Sequence, residues 1–129
     1  MRELRVVVAA EEYAAAVGFY RDVLGMREQV ALAGPGGARV TILDAGRATV
    51  ELANPAQHAY IDEVEVGRAV APRIRLAFEV DDVAGVTGAL LAAGATEVAA
   101  PRRTPFGSVN ARLEAPAGLQ ITVFQELEP

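Results

Sequence analysis

The sequence predicts an α+β fold of two tandem βαβββ modules, and three observations predict it. The stretch Arg75-Leu-Ala-Phe-Glu-Val-Asp-Asp-Val83 restates, seventy positions on, the opening Arg5-Val-Val-Val-Ala-Ala-Glu-Glu-Tyr13: an arginine, a mainly apolar run, acids and then a helical pattern. A glycine closes each helical pattern, Gly25 in one copy and Gly94 in the other. Three strand-like segments separated by turn residues follow each glycine.

In the first copy, residues 4–8 are short and β-branched, which suits a strand. Over 11–24 the apolar residues Tyr13, Val17, Tyr20 and Leu24 recur at three- and four-residue spacing behind acids in the first turn, which predicts a helix. On that helix Phe19 and Tyr20 are expected to pack as core, as is Phe78 on the strand of the second copy. Strands are expected at 28–33, 38–43 and 48–53, with Gly34-Pro-Gly-Gly37 and Asp44-Ala-Gly46 as the turns between them. The second copy repeats the order, with a strand over 73–80 and a helix entered at Asp81 and Asp82 and carrying Val83, Val86, Leu90 and Ala93. Gly85 and Gly88 each weaken this helix by roughly 1 kcal/mol relative to alanine, so packing has to hold it. Strands follow at 97–100, 108–114 and 119–125. Residues 54–72 are too long for a tight turn and read as a linker placed to cover a site. The chain is thus one domain, 1–129, with module 1 at 1–53, the linker at 54–72 and module 2 at 73–129.

At 129 residues, 52% hydrophobic and without cysteine, such a domain buries a core with no disulfide or zinc-thiolate site, as a protein of the reducing cytoplasm would. No stretch reaches the ~20 apolar residues of a membrane span, and the first residues include Arg2, Glu3 and Arg5, so neither a membrane helix nor a signal peptide is expected. The formal charge is −5 and the twelve arginines are scattered, which argues against a nucleic-acid partner and for a small molecule. Gly34-Pro-Gly-Gly37 is a hairpin turn and not a phosphate cradle, and Ser108 has no histidine–acid relay to activate it.

Three segments in order on this duplicated frame carry a resemblance to a known family: Phe19-Tyr-Arg-Asp-Val-Leu-Gly25, the strand-to-helix entry from Arg75 to Val83, and Glu114-Ala-Pro-Ala-Gly-Leu-Gln-Ile-Thr-Val-Phe124. The chain resembles the vicinal-oxygen-chelate superfamily of glyoxalases, bleomycin-resistance proteins and extradiol dioxygenases. The resemblance implies that the two modules curl one mixed sheet around a cup, with helices outside. It also implies a homodimer in which each cup draws on both chains.

Strand alternation says which side chains enter that cup. Arg5 and Val7, Thr49 and Glu51, Arg75, Ala77 and Glu79, Ser108, Asn110 and Arg112, and Gln120, Thr122 and Phe124 share the cup face, while the apolar alternates meet the helices. In metal-dependent members of the superfamily four cup positions hold ligands, usually two histidines and two glutamates. The matching positions here are Arg5, Glu51, Arg75 and Thr122, of which only Glu51 is a ligand type. A guanidinium offers no lone pair, and it repels a dication by ~4 kcal/mol per pair of unit charges at 4 Å and an effective dielectric of 20. No metal and no other cofactor is therefore expected.

Two roles remain open for the arginines. One is a structural ion pair of Arg5 or Arg75 with Glu51; the other is ligand recognition, with two guanidiniums against one carboxylate leaving excess positive charge in the cup. Phe106 and Tyr60 are placed to rim it, and Asn110, Thr122 and Phe124 to line it. His58, the single histidine, is a solvated linker residue or an acid–base partner of Glu51. Two functions follow. The favoured one is a metal-free small-molecule-binding protein that sequesters an antibiotic or another planar polar compound. The alternative is a lyase, isomerase or dioxygenase, metal-dependent or using Glu51 as acid/base.

Overall fold

The computed structural model describes residues 1–128; Pro129, assigned above to module 2, lies outside the described residues. The predicted strands form as β1 (Glu3–Ala9), β2 (Glu28–Ala33), β3 (Arg39–Ala45), β4 (Ala48–Ala53), β5 (Ile74–Glu79), β6 (Thr96–Arg103), β7 (Ser108–Ala115) and β8 (Leu119–Glu126). They join in one mixed sheet ordered β2-β3-β4-β1-β5-β8-β7-β6, open at β2 and β6. Each module supplies four adjacent strands in the same arrangement. Its first strand lies parallel to its last, β1 to β4 and β5 to β8, and the modules meet where β1 runs antiparallel to β5. The sequence repeat is therefore also a repeat of topology, with its seam at the centre of the sheet.

Two helices cover one face. α3 (Val83–Ala92) begins where the Asp82 carboxylate accepts a hydrogen bond from Gly85 N–H at 3.1 Å. A Cβ on Gly85 would crowd that carboxylate, so the capped first turn favours the residue that weakens the helix. The helix lays Val83, Val86 and Leu90 on Ala111, Leu113, Ile121 and Val123, the alternate residues of β7 and β8. α1 (Tyr13–Val17) packs Tyr13, Ala16 and Val17 against Leu43, Val50 and Leu52.

The single helix expected over 11–24 changes character partway. From Gly18 to Val23 it is a π-helix, and Leu24 N–H donates to Phe19 C=O at 2.9 Å, a span of five residues. Widening the repeat throws the three-and-four stripe out of phase. Phe19 is consequently 58% exposed, and Val23 and Leu24 are exposed with it. Phe19 and Tyr20 stack edge to face on each other, centroids 5.0 Å apart, instead of entering the core. Phe78 does pack against the α3 core, as expected.

The expected linker contains a third helix, α2 (Pro55–Glu65), on the opposite face of the sheet. Asn54 caps it, accepting from Gln57 N–H at 2.9 Å, and Pro55 occupies the first turn, where its missing N–H costs nothing. Asn54 also accepts from Arg39 N–H and donates to Gly37 C=O, which fixes the start of α2 against the β2–β3 turn. Apolar periodicity misses this helix because its buried residues are Ile61, Asp62 and Glu65, and two of those three are acids.

Candidate functional site

The concave face carries a row of alternate residues across the seam. Glu51 on β4 stands opposite Val7 on β1, and Val7 stands opposite Arg75 on β5; one row along, Arg5 stands opposite Thr49 and Ala77, and Ala77 opposite Thr122. Val7, Ala77 and Phe124 pack together as an apolar floor, with the Arg5 guanidinium carbon 5.1 Å from the Phe124 ring centroid. Val30, Leu32, Val40 and Ile42 make an apolar wall, and α2 brings Gln57, Tyr60, Ile61 and Glu65 over the top. The space enclosed is a cavity of about 500 Å³.

All seven side chains predicted to line a cup, Arg5, Glu51, Arg75, Phe106, Asn110, Thr122 and Phe124, line this one cavity. Tyr60 joins them as expected. Both modules of one chain contribute to it. Other cup-face residues go elsewhere. Thr49 donates to Glu3 at 3.0 Å, Glu79 faces a separate surface cleft beside Arg2 and Asp81, and Arg112 and Gln120 are buried beneath the cavity among polar partners. His58 is turned away, with Nε2 3.3 Å from Ala71 C=O, so an acid–base pair of His58 with Glu51 is not what the fold assembles.

The charges differ from two guanidiniums against one carboxylate. Arg112, 0% exposed, donates from Nε to Glu65 Oε1 at 2.9 Å and from Nη1 to Asp62 at 2.8 Å and Gln120 at 2.7 Å. Its Nη2 lies 2.8 Å from Glu65 Oε1 but off the line of a hydrogen bond. Glu65 also accepts from Asn110 at 2.8 Å and Thr122 at 2.9 Å, and Asp62 accepts from the Val70 and Ala71 amides at 2.8 Å each. Arg5 pairs first with Glu3 and lies 3.8 Å from Glu51. Around the cup, among the described residues, there are thus three guanidiniums, Arg5, Arg75 and Arg112, and five carboxylates, Glu3, Glu51, Asp62, Glu65 and Glu126, so no formal positive excess exists.

Two groups stand outside these pairings. Arg75, 5% exposed, donates one N–H from Nη1 to Thr122 at 2.7 Å, and its remaining donors meet no acceptor among the described residues. Glu51, its side chain 13% exposed, accepts no hydrogen bond from any described residue. None of their unpartnered polar atoms is sealed away from the cavity. Burial lifts the Glu51 carboxyl above its ordinary range; Arg75 and Arg5 pull it back, and Glu65 and Glu3 push it further up. Burial likewise lowers Arg75, though a guanidinium stays charged in any protein setting. Asp62 goes the other way: burial would raise it, but bonds from Ala71, Arg112 and Val70 together bring it below its ordinary range.

The pattern of the Glyoxalase-like domain family matches residues 5–124. The chain belongs to that family. With it comes membership of the vicinal-oxygen-chelate superfamily. No curated protein matches the sequence. Among solved structures it is similar to a hypothetical protein from Bacillus halodurans C-125, at 15% identity and TM-score 0.68 over 100% of this chain and 95% of that one. It is similar to methylmalonyl-CoA epimerase from Mycobacterium tuberculosis, at 22% identity and TM-score 0.64 over 98% and 87%. A glyoxalase/bleomycin resistance protein/dioxygenase superfamily member from Vibrio splendidus 12B01 gives 12% and 0.61 over 95% and 97%. At such identities the likeness is one of fold.

The glyoxalase superfamily implies a metal at the four matching positions, and the side chains there do not fit one. Arg5 and Arg75 have no lone pair to donate, and Thr122 already donates to Glu65 and accepts from Arg75. Among the described residues no three of His, Cys, Asp and Glu are grouped to hold an ion. The cup residues of α2 that sequence reasoning missed are Gln57, Ile61 and above all Glu65. The signals for them were Asn54-Pro55, a cap followed by a first-turn proline, and the three-residue spacing of Asp62 and Glu65, which puts both acids on one helical face.

Proposed function

We propose that this glyoxalase-like chain is a metal-free small-molecule-binding protein whose cup takes a flat, partly aromatic compound bearing an acidic oxygen, in the manner of a protein that sequesters an antibiotic. The observation that carries this is Arg75: a guanidinium almost wholly out of water, spending one N–H on Thr122 and presenting the others to a cavity with aromatic residues Phe106 and Phe124 in its lining. A buried donor array without acceptors is costly unless something fills it, and a carboxylate or phenolate matches its fork. Elemental analysis of the purified protein should give no stoichiometric zinc, nickel, iron or manganese, and calorimetry should show benzoate binding without added metal. About one metal ion per chain surviving dialysis against chelator would overturn the proposal.

A second reading has its own support. Glu51, unbonded and shifted upward by burial beside two guanidiniums, is placed as a general base for removing a proton next to a carbonyl, the chemistry of an isomerase or lyase. Turnover of any substrate that is lost in Glu51→Ala would decide for it. We also propose a homodimer in the cytoplasm. The open apolar face of Phe19, Val23 and Leu24 supports self-association, and light scattering that reports a monomer at about tens of micromolar would count against it.

A further inference from the structure

We propose that Glu51 serves as a neutral carboxylic acid in the loaded cup, donating its proton to the ligand carboxylate that Arg75 and Arg5 hold, so that the anion and one proton bind together. This rests on the binding reading above and adds to it a specificity-determining residue and a charge class, a planar monoanion.

The geometry begins with the row Glu51–Val7–Arg75 on three adjacent strands, which puts the two Cα atoms about 10 Å apart at the usual strand spacing, with only a valine between them. Arg5 closes the triangle, Nη1 3.8 Å from Glu51. A planar carboxylate forked on Arg75 over the Val7, Ala77 and Phe124 floor therefore reaches Glu51. Two ionised carboxylates at hydrogen-bond distance repel, and such a pair instead shares one proton. In the row that holds Arg75, Glu51 is the carboxylate free to accept that proton. Glu65 already receives bonds from Asn110, Arg112 and Thr122, and Asp62 receives two amides and Arg112. The charged and titratable groups that face Glu51 are Arg5 and Glu3 of β1, Arg75 of β5 and Glu65 and Tyr60 of α2, with Glu126 of β8 also in the cavity lining. On the β3 side it meets the apolar Val40 and Ile42. Burial, Glu65 and Glu3 favour the neutral form against Arg75 and Arg5, and an incoming anion adds to that side.

The test uses the full chain with benzoate, its neutral isostere benzamide and cationic benzamidine, titrated calorimetrically from about pH 6 to about pH 8 in buffers of different ionisation enthalpy. Benzoate should weaken by up to about tenfold per pH unit, with uptake rising toward one proton per benzoate, while benzamide shows neither effect. In Glu51→Gln, whose amide still donates, the pH dependence and the proton uptake should vanish while benzoate binding persists within a few-fold of the parent at the acid end. Circular dichroism of the variant should match the parent. Benzoate bound with equal affinity at every pH, uptake that survives in Glu51→Gln, a folded Glu51→Gln that no longer binds benzoate, or benzamidine bound more tightly than benzoate would each overturn the inference. Benzamide bound without benzoate overturns it and leaves metal-free binding standing. Failure of all three probes to bind overturns both.

Discussion

Position for position, the two modules set Arg5 against Arg75 and Glu51 against Thr122, yet they finish their halves of the cup in opposite ways. In the second module the buried polar side chains of the last two strands that face inward are tied: Asn110 and Thr122 to Glu65, Arg112 to Glu65, Asp62 and Gln120, Ser108 to Asn110. In the first module Glu51 is tied to nothing by a hydrogen bond, and Arg5 turns mainly to Glu3. The difference comes from α2. It follows the first module in the chain but lays its acids on β7 and β8 of the second, so those two strands become a closed network while Glu51 of the first module and Arg75 of β5 keep groups open to the cavity. A duplicated frame thus acquires a rigid wall and a receptive one.

Breaking the rigid wall should have the largest effect. Arg112→Met leaves Glu65 and Asp62 buried with their shared cation gone, and removing one partner of such a pair costs about 3–5 kcal/mol. Urea unfolding should show the loss as a lower midpoint. The matched change on the receptive side, Arg5→Met, touches a part-buried arginine, its side chain 19% exposed, whose partner Glu3 keeps a hydrogen bond from Thr49, and should cost clearly less. Equal losses in the two variants would mean that the two walls do not differ as described.

The receptive wall is probed by binding. Arg75→Ala removes a charge-assisted contact of about 1.5–3 kcal/mol, so benzoate should weaken by roughly ten- to a hundred-fold in calorimetry. The fold should survive, since Thr122 keeps its bond to Glu65 and Val7 and Ala77 still make the floor. An Arg75→Ala protein that holds benzoate as tightly as the parent would make this arginine part of the rigid wall instead.

Much of this contrast is present in the amino-acid sequence, but not all of it in the same kind of signal. Alternation places Arg5, Glu51, Arg75, Asn110, Thr122 and Phe124 on one face because a strand has a period of two and the opposite face, Val50 and Leu52 or Ala111 and Leu113, is unbrokenly apolar. Apolar spacing finds α3 for the same reason. It fails on α2, whose docking face is made of Asp62 and Glu65 and satisfied by hydrogen bonds from another module, information that no local pattern contains. It fails again at Gly18, where a switch from four-residue to five-residue bonding sends Phe19 outward. Missing α2 also contributed to the expected surplus of positive charge, because Asp62 and Glu65 were assigned to a linker, and Glu3, the partner of Arg5, was left out of the count.

The smallest effect, and the one that separates the two walls by sign, is the dependence of stability on pH. Glu51 has a carboxyl raised by burial, so its contribution is fully present below the unfolded value and is lost as pH rises through the folded one. Asp62 has a carboxyl lowered by the Ala71 and Val70 amides and Arg112 against the cost of burial; its contribution is present above the unfolded value and is lost as pH falls through the folded one. Glu51→Gln should therefore gain on the parent as pH climbs from about 4 to about 7, and Asp62→Asn should fall behind it over the same range, a window that starts near the ordinary carboxylate values. Urea midpoints of the three proteins at both ends of the window measure this directly. Slopes of the same sign would show that Glu51 is held as an ion, as Asp62 is, and that the first module's wall is as closed as the second's.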